Sequence, residues 1–134
     1  MSDSVAITVQ HDGEERVRFP DENVACSLDL TPVGPRQFRI ASIPIMVESA
    51  TFGDIIEAER LPDGTLEFER VFEAGQWRVF SFVLPQVSLG SSEIAVVKAR
   101  VLGHDGHWEE IFGGLLFLCL PPGCDYDPTS DILS

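Results

Sequence analysis

Phe52-Gly53-Asp54-Ile55-Ile56-Glu57-Ala58-Glu59-Arg60-Leu61-Pro62-Asp63-Gly64-Thr65-Leu66-Glu67-Phe68-Glu69-Arg70-Val71-Phe72 decides the reading of this chain. Two runs rich in β-branched and aromatic residues flank Pro62-Asp63-Gly64, which is turn chemistry. Proline presets φ near about −65°, Asp63 suits the next turn position, and Gly64 accepts the positive φ that closes a three-residue hairpin loop. The loop pairs Leu61 with Thr65, and an unbroken ladder then sets Arg60 opposite Leu66, Ala58 opposite Phe68 and Ile56 opposite Arg70. On the other face Glu59 opposes Glu67 and Glu57 opposes Glu69. Four carboxylates on two paired strands repel, each opposed pair costing from a few tenths to about 1 kcal/mol. Folding does not ask for that arrangement, so it is a candidate docking face for a cationic surface. The bland alternative is a solvated face whose repulsion salt screens.

Composition sets the outer bounds. The chain has 134 residues, 44% of them apolar, and 22 acidic side chains against 9 basic ones give a net charge of −13. Lys98 is the sole lysine. One domain of residues 1–134 is expected, with a β-rich part over 1–74, a strand-helix-hairpin part over 75–124 and an acidic tail over 125–134. The acidity disfavours phosphate backbones and anionic membranes as partners and favours basic proteins. The longest apolar run, Leu115 to Leu120, is too short to cross a bilayer. Met1-Ser2-Asp3-Ser4-Val5 has no basic region leading into an apolar stretch, so no secretory signal is expected and the cytoplasm is the expected residence. Cys26, Cys119 and Cys124 form an odd set without Cys-x-x-Cys spacing, which argues against a disulfide framework and a zinc knuckle. Free thiols, no cofactor and no metal are the corresponding expectations.

Along the chain, Val5 to Gln10 alternates, and His11-Asp12-Gly13 leads it into Arg16 to Phe19 as a first hairpin. Pro20 to Asn23 punctuates. Cys26 to Leu30 and Gln37 to Ile40 read as strands on either side of a Thr31 to Pro35 turn. Ser42 to Thr51 has no period and reads as a loop. Trp77 to Leu84, apolar on both faces, predicts an interior strand. Ser91 or Ser92 caps a helix on which Ile94, Val97 and Val101 share a face, with Gly103 at its end. His107 to Phe112 and Leu115 to Leu120 form a last hairpin, its second strand central. Asp127 and Pro128 suit the N-cap and first position of a final helical turn, the alternative being a frayed end. The class is α+β with antiparallel pairing dominant. An N-terminal curled sheet or partial barrel is followed by a strand-helix-strand-strand unit, half of a ferredoxin-like layer. Exposed strand edges also allow a homo-oligomer through edge pairing.

The residues from Arg39 to Ala58, including the Phe52-Gly53-Asp54-Ile55-Ile56-Glu57-Ala58 block, the Trp77 to Leu84 strand and the Trp108 to Pro122 closing hairpin, together resemble an uncharacterised bacterial family, domain of unknown function forty-two sixty-five. Ser42, Ile45 and Met46 depart from that family's pattern, which has Asn and aromatic residues there. The resemblance implies a bacterial cytoplasmic protein and carries no activity and no functional residue.

His104-Asp105-Gly106-His107-Trp108-Glu109-Glu110 gathers two imidazoles with carboxylates, so acid-base chemistry would be sought there, with Tyr126 as a further candidate. His104 and His107 stand three apart across a glycine turn, and no cysteine lies at ligand spacing, so no zinc set is expected. Cys119, within an apolar strand, reads as a buried hydrophobe. Asp125 beside Cys124 disfavours a thiolate there. The expectation is therefore a small acidic interaction protein that holds a basic partner through Glu57, Glu59, Glu67 and Glu69, in the manner of a toxin-neutralising immunity protein. The alternative is a small enzyme or ligand-binding domain using His104, Asp105, His107 and Tyr126.

Overall fold

Pro62-Asp63-Gly64 forms the expected tight loop in the computed structural model, which describes residues 13–84 and 91–133. Leu61 N–H donates to the Thr65 carbonyl at 2.8 Å, Gly64 N–H to the Leu61 carbonyl at 2.9 Å, and Gly64 has φ 92°. Asp63 fastens the loop by accepting from the Thr65 amide and hydroxyl at 2.9 and 2.7 Å. The fold is α+β. Its chain divides into two units, residues 1–75 and 76–134.

The first unit is a meander of β1 (Glu14–Phe19), β2 (Val24–Gly34), β3 (Gln37–Ile40), β4 (Ile55–Arg60) and β5 (Leu66–Glu73), closed into a barrel. In an odd-numbered meander the first and last strands run the same way, so closure is parallel. Val17 pairs with Leu66, and Arg18 with Glu67. Strand alternation sends Val17, Phe19, Leu28, Leu30, Ile40, Ile56, Ala58 and Leu66 inward, all nearly or fully buried. Phe19 and Phe68 pack their rings 4.9 Å apart. Where the inward rows of β1 and β4 reach solvent they end in charge: Arg60 grips Glu15 through both terminal nitrogens, at 2.8 and 3.1 Å.

The ladder of β4 and β5 is broken, and this corrects the expected register. Arg60 faces Leu66, Glu59 faces Glu67 and Ala58 faces Phe68, but Glu57 then faces Arg70 and Ile56 faces Val71. Glu69 is the extra residue of a β-bulge. One unpaired residue reverses the in-out parity beyond it, so Arg70 leaves the inward row and Val71 joins it, until a second shift between Ile55 and Ile56 passes over Phe72. A second correction concerns Thr31 to Pro35. β2 runs on to Gly34, with Pro32 opposite Phe38 at a register shift, and the reversal comes at Arg36, φ 59°. Proline is tolerated in the strand because it sits at this irregularity.

The connection between β3 and β4, residues 41–54, contains the expected Ser42 to Thr51 loop. Its exit is held by Asp54, whose carboxylate accepts from Thr51 N–H at 3.0 Å and from Gly75 N–H at 2.9 Å. A methyl group on Gly75 would lie 2.2 Å from the Gly53 carbonyl oxygen, so glycine is required for this approach. Val5 to Gln10 lies outside the described residues; Arg16 to Phe19 pairs with β2.

The second unit comprises β6 (Arg78–Val83), α1 (Ser92–Gly103), β7 (His107–Ile111), β8 (Leu115–Leu120) and the short α2 (Thr129–Leu133). β8 lies between β6 and β7 and pairs antiparallel with both, a split β-α-β arrangement. The continuous apolar run thus takes the central position, as expected. β6 does not: it stands at the edge of this three-stranded sheet. Phe80 and Phe82 pack on the helix-side core, whereas Val83 on the other face is 81% exposed. Ser91 caps α1 by accepting from Ile94 N–H at 3.3 Å, and Ile94, Val97 and Val101 are the buried helix residues. Asp127 accepts from Thr129 N–H at 2.9 Å and opens α2, so the tail takes the helical alternative. No helix among the described residues is long and apolar enough to cross a membrane.

Candidate functional site

The outer face of β4 and β5 is where the four glutamates fall, and the bulge divides them. Glu57 accepts from Arg70 Nε at 2.8 Å, and Glu69, displaced from the ladder, forms an ion pair with Arg36. The expected opposition of Glu57 and Glu69 is therefore replaced by two arginine pairs. Glu59 and Glu67 do oppose one another, and among the described residues neither makes an ion pair. Arg18 neighbours Glu67 on the β1 side. The site is thus one pair of facing carboxylates at the turn end of the hairpin.

Elsewhere the protein's cations are largely occupied. Lys98 pairs with Glu110 and stands 4.1 Å over the Trp108 ring, Arg100 pairs with Asp131 at 2.8 Å, and Arg78 donates to the Cys124 and Tyr126 carbonyls at 2.6 Å each. With 22 acids and 9 bases, complete internal pairing still leaves thirteen carboxylates to solvent or a partner.

The histidine cluster separates. His104 caps α1 and stacks on Tyr126, ring centroids 5.1 Å apart at 15°. Tyr126 packs against the core between α1 and the sheet and donates to Asp131 at 2.7 Å. Burial, and then Asp131, push the Tyr126 hydroxyl above its ordinary pKa, while the Tyr126 hydrogen bond holds Asp131 below the usual carboxylate range. His107 alternates with Trp108, whose ring joins the helix-side core, so it lies on the other sheet face, its Nε2 2.7 Å from Glu109. Asp105 is exposed at φ 62° in the turn between them. His104 and Tyr126 come together; His107 does not join them. Among the described residues no group of three His, Cys, Asp or Glu side chains could hold a metal ion.

Cys119 is fully buried, and burial with the nearby Glu109 charge pushes its thiol up to about 12. Cys26 is raised as well, by partial burial first.

The barrel carries one feature that no sequence motif marks. Glu22, in the short turn after β1, reaches the loop before β4 and accepts from Glu48 N–H at 2.9 Å, Ser49 N–H at 2.8 Å and the Ser49 hydroxyl. These bonds, the hydroxyl first, hold it below the ordinary glutamate pKa. Beside it opens a hollow of about 510 Å³ lined by Glu22, Val24, Met46, Glu48 and Ser49. Met46 is 81% exposed. The sequence signal available was Ile45-Met46-Val47, an apolar triplet within a loop.

No protein-family model matches the chain. No curated protein matches it. Among solved structures it is similar to a hypothetical protein from Neisseria gonorrhoeae, 18% identical, with a TM-score of 0.57 over 86% of this chain and 80% of that one, a likeness of fold alone.

Proposed function

We propose that the protein is a binding module for a basic protein partner, engaged through the acidic barrel surface around Glu59 and Glu67. The observation that carries this reading is the facing pair itself. The neighbouring glutamates each have an arginine, yet these two are left opposed, so a cation from outside would relieve a repulsion the fold retains. The acid excess adds long-range steering of a basic surface towards the barrel. Neutralisation of a basic toxin is one form such binding takes.

The alternative, an enzyme or ligand-binding site built on His104, Asp105, His107 and Tyr126, has less support, because His107 and His104 lie on different sides of the sheet.

The test titrates the protein with hexa-arginine at about 50 and about 500 mM salt, a change that shortens the screening length roughly threefold. The Glu59→Gln/Glu67→Gln double variant is compared with Glu14→Gln/Glu93→Gln, which removes the same charge elsewhere. The reading predicts salt-sensitive binding that the first pair of substitutions weakens more than the second. Equal weakening, or binding indifferent to salt, would contradict it.

A further inference from the structure

Resting on that reading, we propose that the hollow beside Glu22 is a second contact point for the same partner, seating one of its lysine or arginine side chains with Val24 and Met46 along the aliphatic stem. The lining has two carboxylates and no basic residue, so it is complementary to a cation and repels an anion. Its volume of about 510 Å³ exceeds that of any single side chain. Met46, 81% exposed, presents an unbranched thioether that adapts to an incoming stem. Long cationic side chains combine such an apolar stem with a charged head, and the hollow offers a surface for each.

Glu22 is prepared for the head group. A carboxylate offers about four lone-pair sites, and Glu48 N–H, Ser49 N–H and the Ser49 hydroxyl use three of them. One remains on Oε1. The three bonds fix the group and favour its charged form, so an arriving cation does not have to order it. Glu48 adds a second, exposed charge at the rim. A small inorganic cation would use the carboxylates and leave Met46 and Val24 without a role; a cationic side chain uses all of them.

The experiment follows Glu48 and Ser49 backbone amides and the Met46 methyl group by NMR while the whole protein is titrated with hexa-arginine, hexa-citrulline serving as the uncharged isostere. The proposal predicts that these signals move saturably with hexa-arginine alone. Glu48→Gln should weaken that response about two- to fivefold, the range of a solvent-exposed ion pair, and Met46→Ser, also an exposed change, should weaken it through the lost contact with the stem. Circular dichroism checks that each variant keeps its fold, and either substitution suffices for the comparison. Movement confined to Glu59, Glu67 and their neighbours would overturn the second contact point and leave the binding reading standing. Equal movement with hexa-citrulline would overturn recognition of a cation here. No movement at either place would remove both.

Discussion

Glu59 and Glu67 stand directly opposite each other across β4 and β5 without an ion pair to either among the described residues. Their repulsion has a measurable consequence in the free protein. Glu59→Gln should raise stability by a few tenths to about 1 kcal/mol, and the gain should shrink as salt screens the wild-type repulsion. Urea denaturation of the two proteins at low and high ionic strength measures both parts.

Asp54 ties the loop entering β4 to the end of the barrel unit through Thr51 and Gly75. Asp54→Ala leaves two amide donors without their acceptor and should cost about 1–3 kcal/mol. Gly75→Ala pushes a methyl group against the Gly53 carbonyl and should cost a similar amount, about 1–3 kcal/mol, by overpacking. The two changes act on one contact, so the double variant should lose less than their sum. Urea midpoints of the three proteins decide it.

Cys119 gives an alkaline signature. Its folded pKa of about 12 lies above the ordinary value of 9.0, so between those values the unfolded chain releases a proton that the folded chain keeps. The contribution to stability is complete below pH 9.0 and is lost as pH rises towards about 12. Cys119→Ala should therefore flatten the stability profile in that window. In the native protein at pH 8, iodoacetamide should label the half-buried Cys26 and Cys124 before Cys119, which stays unmodified until the chain unfolds; peptide mass mapping reads the order.

Phe112, in the turn between β7 and β8, is 80% exposed and holds φ 58°. Glycine adopts that conformation without the steric cost a Cβ brings, and little packing is lost with an exposed ring. Phe112→Gly should leave the fold intact and raise stability by about 0.5–1 kcal/mol. A thermal melt with an unchanged or lower midpoint would contradict this.

Local chemistry made much of the architecture legible. Pro62-Asp63-Gly64 specified its turn, Ser91 its cap, and the spacing of Ile94, Val97 and Val101 the buried helix face. The apolar run of β8 marked the central strand. Two features were not legible, for different reasons. The bulge at Glu69 is a property of two strands together, which periodicity along one strand does not register. Its trace was Arg70, a charge falling on the inward row, which a shift of one residue sends out to Glu57. Val79 and Val83 make both faces of β6 apolar, the pattern of an interior strand, yet apolarity reports desolvation only where something covers it; Val83 is exposed. The hollow beside Glu22 joins residues far apart in sequence, with contacts from Glu22 to Glu48 and Ser49, so no local pattern announced it.

The affinity of Glu59→Gln/Glu67→Gln for hexa-arginine at about 50 mM salt, set against that of the charge-matched Glu14→Gln/Glu93→Gln protein, bears most directly on the facing carboxylates as a docking site. Binding weaker in the first variant than in the second is the predicted result. Affinities that fall together would mean that the −13 charge acts as a whole and that this pair has no special part.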